Sequence, residues 1–238
     1  MKYIGIIPAR MESKRLPGKP LAKIGEKSMI QRVYEQVSRC EGIDEVFVAT
    51  DSSEIADHVK SFGKVIITSS KPTNGTERVC EAISKTQNNY DYIINIQGDE
   101  PFVNNSQINT LINICDGSNE ICTLIKKSID KKEIIKKNVI KVTINNKNYA
   151  LSFSRNVIPS RNDDPFFYRH IGIYAFRKTI IEKITKLPKS KLEIAESLEQ
   201  LRWLENNYKI KTAITDQETF GIDTEDDLKK ANKIILGE

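Results

Sequence analysis

Residues 4–21, IGIIPARMESKRLPGKPL, decide the fold prediction. The stretch opens with an apolar run at residues 4–7, which is typical of a fully buried strand. Pro8 has no N–H to donate and is expected to end the pairing of that strand. The loop that follows carries four cations, Arg10, Lys14, Arg15 and Lys19. A buried strand that opens into a basic loop with a glycine predicts an anion site at the carboxyl end of an α/β sheet, because cationic side chains neutralise phosphate.

From the residues alone, this loop has two interpretations. A charged connection after a strand is commonly a solvated surface turn. Its length, however, exceeds the roughly 2–6 residues usual for a βα connection, and long ordered loops tend to be functional. The sequence contains neither GxGxxG nor GxxxxGK[ST], so the Rossmann and P-loop fingerprints are both absent.

Strand-like and helix-like segments alternate along the rest of the chain. Apolar runs predict strands at residues 45–50, 64–68, 91–96, 120–125 and 209–215. Helical spacing predicts helices that begin after Ser28 and Thr224 and others at residues 54–62, 79–87, 105–115 and 192–206. This alternation predicts an α/β fold with a doubly wound, mostly parallel, mixed sheet. Residues 139–144 and 149–155, joined by an Asn-rich turn, predict an antiparallel insertion that breaks the alternation.

Two polar segments lie at predicted strand and helix ends. Residues 69–78, SSKPTNGTER, combine a turn at Asn74 and Gly75 with a helix cap at Thr76. Residues 97–101, QGDEP, place Asp99 at the carboxyl tip of a strand. Asp99 is there either a turn aspartate or a carboxylate that holds a divalent cation over phosphates.

Polar side chains in the second half of the chain also have two interpretations each. Arg155 is either a surface residue at a strand end or a guanidinium fork for a planar carboxylate. His170 and Tyr174 share one face of a predicted strand at residues 169–177, as a structural pair or as hydrogen-bonding groups for a polyol. Glu199 and Gln200 lie either on the solvated face of a helix or in a binding site. No Ser or Cys forms a predicted nucleophile dyad with His170, so hydrolase chemistry is not expected.

Motifs along the whole chain resemble those of the CMP-Kdo synthetases (3-deoxy-manno-octulosonate cytidylyltransferases). They are PARMESKRLPGKPL at 8–21, NGTER at 74–78, QGDEP at 97–101, FSRNVIP at 153–159, RHIGIY at 169–174, LEQLR at 198–202 and GIDTEDDL at 221–228. Two positions depart from the family pattern. Met11 replaces the usual tyrosine after PAR, and Asn74 stands where serine is usual.

The resemblance implies a fold of the nucleotide-diphospho-sugar transferase type and transfer of CMP from CTP to Kdo, with release of pyrophosphate, for lipopolysaccharide or capsule synthesis. It implies that Mg²⁺ is bound by Asp99 and Asp223. It implies catalytic roles for Arg10, Arg15, Lys19, Asp99 and Asp223. It implies CTP contacts from Pro8, Ala9, Arg10, Ser13, Arg15, Lys19, Asn74, Gly75, Thr76 and Arg78. It implies sugar contacts from Gln97, Arg155, His170, Tyr174, Glu199 and Gln200. An enzyme for a related acid sugar, such as 8-amino-Kdo, remains the alternative.

Length, composition and charge limit the classes of protein to which this sequence can belong. With 238 residues and no apolar run near the roughly 18–20 needed to span a bilayer, we expect one domain, 1–238, without membrane insertion. The net charge of +5 comes largely from residues 126–147, which contain no aromatic for base stacking, so nucleic-acid binding is not expected. Four cysteines without a CxxC pair and no signal-peptide pattern after Met1 predict a cytoplasmic protein. The resemblance further implies a homodimer that pairs through an insertion at about 138–190, which also binds the sugar.

Overall fold

The structure is a computed structural model that describes residues 1–13, 15–160 and 166–237. Lys14 of the predicted basic loop and residues 161–165 of the predicted insertion lie outside the described residues. The chain divides into two compact units, which are described separately. The first comprises Met1–Ile108 and Glu218–Glu238, and the second comprises Asn109–Gln217.

Strands and helices are numbered in chain order. The strands are β1 (Tyr3–Ala9), β2 (Lys23–Ile24), β3 (Lys27–Ser28), β4 (Glu45–Thr50), β5 (Val65–Ile67), β6 (Tyr92–Asn95), β7 (Ile121–Ser128), β8 (Lys141–Ile144), β9 (Ala150–Ser154), β10 (Phe167–Arg177) and β11 (Ile210–Ile214). The α-helices are α1 (Met29–Ser38), α2 (Ser53–Lys60), α3 (Gly75–Ser84), α4 (Asn105–Ile112), α5 (Lys131–Ile134), α6 (Lys178–Thr185), α7 (Lys191–Glu196), α8 (Gln200–Glu205) and α9 (Glu225–Leu236). A 3-10 turn covers Lys19–Leu21. None of the described helices is both long and apolar enough to cross a membrane.

The first unit is built on a parallel sheet with strand order β6-β1-β4-β5. The apolar run of β1 is fully buried, as predicted, with Ile4, Ile6 and Ile7 at 0% exposure. Ser28 caps α1 through its hydroxyl, and Thr224 and Asp227 form a capping box at α9, both as predicted. The α/β prediction, with a mostly parallel mixed sheet, is confirmed.

Pro8 does not end β1, and this expectation was wrong on one side of the strand. β1 continues to Ala9, and Pro8 stays in register with Ala49 of β4. On the other side, the last bond to the β6 segment runs from Ile96 N to Ile6 O. The next bond of that parallel ladder would need an N–H on Pro8, and proline has none. The missing donor therefore stops pairing towards β6 and leaves pairing with β4 intact.

The second unit contains the mixed part of the fold. β7 pairs in parallel with β11 and antiparallel with β10, while β8 pairs antiparallel with β9 and β10. The predicted hairpin is therefore confirmed, and Asn148 adopts φ 57° in its turn. The register of β10 against β7 shifts between Ile171 and Tyr174, a bulge that strand alternation did not predict.

The predicted helix at residues 192–206 is two helices. α7 ends at Glu196, Ser197 adopts the left-handed conformation with φ 53°, and α8 starts at Gln200. Ser197 N bonds back to Glu193 O, which closes α7 and redirects the chain. The pattern of leucines did not reveal this break, because Leu198 and Leu201 are buried on either side of the start of α8.

The cap of α3 also differs from the prediction. Asn74, not Thr76, caps the helix, and its side-chain oxygen accepts from Glu77 N at 2.8 Å. The helix begins at Gly75 rather than at residue 79. Asparagine and threonine both serve as caps, so propensity alone could not choose between them.

Candidate active site

A cavity of about 820 Å³ lies at the carboxyl ends of β1 and β6 in the first unit. It is lined by Pro8, Ala9, Arg10, Glu12, Ser13, Arg15, Lys19, Pro20, Pro72, Asn74, Gly75, Arg78, Gln97, Gly98, Asp99 and Asp223. The structure thus brings together nearly all residues assigned to CTP and metal by resemblance. Thr76 is the exception, because it is buried beside the cavity without lining it.

The basic loop is fixed by both apolar and backbone contacts. Leu16 is 3% exposed and packs in a cluster with Ile222 and Met29. Gly18 has φ +65°, a conformation that L side chains rarely adopt, and its N–H donates to Met11 O at 3.3 Å. The cations of this loop are therefore carried by an anchored segment, which favours a binding role over a simple surface turn.

Gly98 allows two backbone segments to approach at the wall of the cavity. A Cβ at this position would lie 2.9 Å from the carbonyl oxygen of Pro8, which is closer than real contacts allow. Only glycine therefore fits between the ends of β1 and β6. Ile222 N also donates to Asp99 O at 2.9 Å, which brings the segment containing Asp223 beside the QGDEP turn.

Four charged side chains meet at the floor of the cavity. Lys19 Nζ lies 2.6 Å from Asp99 Oδ2 and 3.0 Å from Asp223 Oδ1. Arg15 Nη2 lies 2.9 Å from the same Asp223 oxygen. One cation thus touches two carboxylates from distant parts of the chain, which shows that both carboxylates can face a single positive centre.

Two converging carboxylates fit a magnesium ion that completes its shell with phosphate oxygens and water. No third carboxylate, histidine or thiol joins this pair among the residues that the structure describes.

Arg10 and Arg78 play different parts in the cavity wall. Arg10 is exposed and forms no ion pair with any described residue, so its guanidinium is available to an anion. Arg78 is buried, and its guanidinium contacts Thr68 Oγ1 at 2.5 Å and Asp51 Oδ2 at 3.2 Å. Arg78 therefore presents a cation whose position is fixed by its own neighbours.

The residues assigned to the sugar, apart from Gln97, lie in the second unit. His170 Nε2 lies 3.0 Å from Thr123 Oγ1, and the His170 ring contacts Tyr174 and Phe153 with centroid distances of 5.2 and 5.3 Å. Burial lowers the pKa of His170 to about 3, so the imidazole is neutral near pH 7. Burial also raises the pKa of Tyr174, and the negative charge of Glu199 raises it further.

The start of α8 lies close to this aromatic pair. Trp203 is 1% exposed and meets the Tyr174 ring edge-on at 5.2 Å. Gln200 is buried, and Glu199 precedes it at the cap position of α8. The second unit thus brings His170, Tyr174 and the LEQLR segment close together.

Arg155 is held by backbone carbonyls. Its Nε donates to Glu196 O at 2.8 Å, its Nη1 to Lys137 O at 3.0 Å and its Nη2 to Ser197 O at 3.3 Å. A guanidinium has five N–H groups, so one on each Nη has no partner among the described residues. Those two N–H groups suit a carboxylate.

Sequence reasoning missed several residues of these sites. In the first unit these are Glu12, Pro20, Pro72 and Gly98. Gly98 could have been found, since it lies inside QGDEP next to Asp99. Thr123 and Trp203 could not, because Thr123 reaches His170 only through the register of β7 with β10, and Trp203 contacts Tyr174 only once α8 is formed.

Comparisons with known proteins agree on one family. The sequence pattern of the family described as Cytidylyltransferase matches residues 4–210. A 3-deoxy-manno-octulosonate cytidylyltransferase of Parabacteroides distasonis is 51% identical, over 97% of this chain and 97% of the relative. An 8-amino-3,8-dideoxy-manno-octulosonate cytidylyltransferase of Shewanella frigidimarina is 42% identical, over 97% of each chain.

A solved structure supports the same relationship. The CMP:2-keto-3-deoxy-manno-octonic acid synthetase complexed with CTP superimposes with a TM-score of 0.94 at 37% sequence identity, and the match covers 100% of this chain and 99% of that one. Identity at this level over nearly the whole of both chains relates the sequences as well as the folds. The chain therefore belongs to the CMP-Kdo synthetase family of cytidylyltransferases.

Proposed function

We propose that this chain transfers CMP from CTP to 3-deoxy-manno-octulosonate (Kdo) and releases pyrophosphate. The observation that carries the proposal is the cavity in which Lys19 contacts both Asp99 and Asp223, and which Arg10, without an ion pair among the described residues, also lines. The relative from Parabacteroides distasonis has this activity in its name, and the structural relative was solved with CTP.

Arg10, Arg15 and Lys19 would bind the triphosphate. The reaction forms a bond between the C2 hydroxyl oxygen of the sugar and the α-phosphorus, breaks the bond from that phosphorus to the bridging oxygen of pyrophosphate, and releases the hydroxyl proton. Such transfers depend on positioning and on neutralising charge, since no covalent enzyme intermediate is needed. The three cations would stabilise the charge that develops on the departing pyrophosphate.

Asp99 and Asp223 would hold Mg²⁺. The bound ion would neutralise phosphate charge and lower the cost of bringing the sugar hydroxyl to an anionic substrate. Lys19 now bridges the two carboxylates, so it would keep their mutual repulsion low and remain close enough to contact the phosphates.

The cytosine and ribose would lie against Asn74, Gly75 and the first turn of α3. Small residues at this helix start let a ligand approach the backbone closely. Pro8, Ala9 and Ser13 would complete the nucleotide contacts, and Arg78 would supply a fixed cation.

The sugar acid would be oriented by residues of different character. The two available N–H groups of Arg155 would bind its carboxylate. Gln97, His170, Tyr174, Glu199 and Gln200 would bind its hydroxyl groups. His170 would act as a neutral hydrogen-bonding group, because burial keeps its pKa far below 7.

We also propose a homodimer in the cytoplasm. Among the large apolar side chains that the second unit exposes are Leu151 at 60%, Leu192 at 50% and Ile194 at 66%, which supports a pairing surface there. The four cysteines are free thiols, which suits a reducing compartment. Light scattering of wild type and of the Leu151→Glu/Ile194→Glu variant tests the dimer. If these side chains form the pairing surface, the variant should shift from dimer to monomer.

The activity is tested by pyrophosphate release from CTP and Mg²⁺, with and without Kdo. Asp99→Asn should lose activity by about 10²–10³-fold or more, the scale of losing one preorganised electrostatic group. Asp57→Asn, an exposed aspartate of the same unit, is the matched control and should behave as wild type. Absence of Kdo-dependent release from wild type would reject the function, and an active Asp99→Asn would reject only the role of Asp99.

The relative from Shewanella frigidimarina supports one alternative, transfer of CMP to 8-amino-Kdo. The two substrates differ at one carbon, far from the carboxylate that Arg155 would bind. Comparing kcat/KM for Kdo and its 8-amino analogue under the same conditions decides between them. A higher value for the amino sugar would favour the alternative.

A further inference from the structure

We propose that Lys141 and Glu196 are positioning residues that hold Arg155 in place for the sugar carboxylate. This inference rests on the proposed function, because Arg155 is the group through which they would act. Neither residue belongs to the motifs assigned to substrate above, and both lie within the second unit.

Lys141 is a fully buried lysine on β8. Its relative exposure is 0%, and its ammonium donates to Val139 O at 2.8 Å, to Lys136 O at 3.0 Å and to Arg155 O at 2.5 Å. Three acceptors satisfy all three N–H groups of the ammonium. Burying an ammonium costs free energy unless its N–H groups find acceptors. Because all three N–H groups of Lys141 have acceptors, we infer that this lysine has a specific structural role.

Glu196 holds the other side of the Arg155 backbone. Its carboxylate accepts from Arg155 N at 2.9 Å and from Ser154 Oγ at 2.7 Å. The carbonyl of Arg155 therefore faces a positive charge on β8, and its N–H faces a negative charge at the end of α7. Burial lowers the pKa of Lys141, while the nearby carboxylate of Glu196 opposes that shift and favours the charged form.

The same two residues also organise the acceptors of the guanidinium. Glu196 and Ser197 supply two of the carbonyls that bind Arg155, and Lys137 supplies the third. Lys141 fixes the segment around Lys137 through the carbonyls of Lys136 and Val139. Removing the Lys141 ammonium would therefore loosen both the backbone of Arg155 and one support of its side chain.

A positioning role predicts a particular kinetic signature. Methionine at position 141 fills much of the same volume but leaves three backbone carbonyls without their donor, so some loss of fold stability is expected in either case. A positioning role adds a loss in sugar binding alone, since CTP would bind to residues of the first unit. A merely structural role would lower the yield of folded enzyme and leave both KM values unchanged.

The test is a double-mutant cycle that combines Lys141→Met and Arg155→Ala, with KM measured for Kdo and for CTP. Lys141→Met should raise KM for Kdo by about ten-fold, as expected for a lost hydrogen bond to a charged group, and change KM for CTP less than about two-fold. In the Arg155→Ala background, Lys141→Met should have almost no further effect on KM for Kdo. Glu196→Gln should repeat this pattern and provides the test if Lys141→Met fails to fold.

Ile184→Ala, a buried core residue of the second unit, is the control for general destabilisation. It should lower the free energy of unfolding with both KM values unchanged. Equal rises in KM for both substrates, or independent effects of Lys141→Met and Arg155→Ala, would overturn the positioning role. The activity of wild type with Kdo is measured first. If wild type does not use Kdo, the proposed function is rejected instead.

Discussion

The two units bind charge in contrasting ways. In the first, Arg15, Lys19, Asp99 and Asp223 pair directly with one another, and the side chains of Arg15 and Asp223 are 66% and 46% exposed. In the second, Arg155 contacts neutral carbonyls, and His170 is partly buried and uncharged near pH 7. The first arrangement can exchange ionic partners when a ligand arrives, whereas the second holds a fixed shape before a ligand arrives.

This contrast explains why chemistry and specificity would be divided between the units. Triphosphate and metal bring large charges, which a solvated set of ionic groups can accept at low cost. A sugar acid brings one charge and several hydroxyl groups, which a buried polar set can distinguish by geometry.

Replacing Lys19 by methionine should break the first arrangement. The substitution removes the cation shared by Asp99 and Asp223, so we expect kcat/KM for CTP to fall by about 10²–10³-fold. Lys23→Met, a change at an exposed lysine nearby on β2, is the matched control and should leave it unchanged. Steady-state kinetics with CTP varied at saturating Kdo measures the effect, and an unaffected Lys19→Met would contradict the contrast.

Arg155→Lys should break the second arrangement while keeping its charge. Lysine cannot replace a guanidinium fork that donates to three carbonyls and a carboxylate together, so KM for Kdo should rise by about 10–100-fold. KM for CTP should stay within about two-fold. Arg177→Lys, at the end of β10, serves as control. A parallel rise in both KM values would show that the two arrangements are not separable.

Acidification should lower the free energy of unfolding through His170. Its pKa is lowered to about 3 in the fold, so between pH 6.5 and 3 the unfolded chain binds more protons than the folded one. The free energy of unfolding should therefore fall as the pH falls through this window, by up to about 1.4 kcal/mol for each pH unit. Urea unfolding at pH 7, 6 and 5 measures it.

His170→Gln keeps a polar side chain but cannot take up this proton. It should therefore reduce the slope of unfolding free energy against pH relative to wild type. An identical slope in both proteins would mean that another group controls acid stability.

Salt concentration should change KM for CTP more than KM for Kdo, and this difference is the smallest of the expected effects. Exposed charges are screened over roughly 8–10 Å at 0.1–0.15 M salt, so KM for CTP should rise several-fold between 0.05 and 0.5 M KCl. KM for Kdo should change less, because the sugar acid would bring a single charge to a site with one cation, Arg155. Kinetics at four salt concentrations gives both dependences, and equal slopes would contradict the proposed difference.

The fold could be predicted from the sequence where local pattern and burial agree. The buried run of β1, the hairpin of β8 with β9 and the capping box at Thr224 all follow from spacing and residue type. The break between α7 and α8 could not be predicted, because it depends on Ser197 adopting a conformation that serine seldom prefers.

The site could be predicted only in part, for a similar reason. The cations after β1 and the carboxylate of Asp99 follow strand ends, which is where α/β proteins bind ligands. The support of Arg155 by Lys141 and Glu196 joins three elements through backbone carbonyls and an amide, and no spacing in the sequence records such contacts.

The imino group of Pro8 has a consequence for how the cavity stays open. Because Pro8 cannot donate to Ile96 O, the ladder between β1 and β6 stops after Ile96 N has bonded to Ile6 O. With no further rung available, the chain beyond Ile96 is free to turn away, and Gly98 passes over the carbonyl of Pro8. One missing hydrogen atom thus limits the length of the sheet at the place where the substrate would enter.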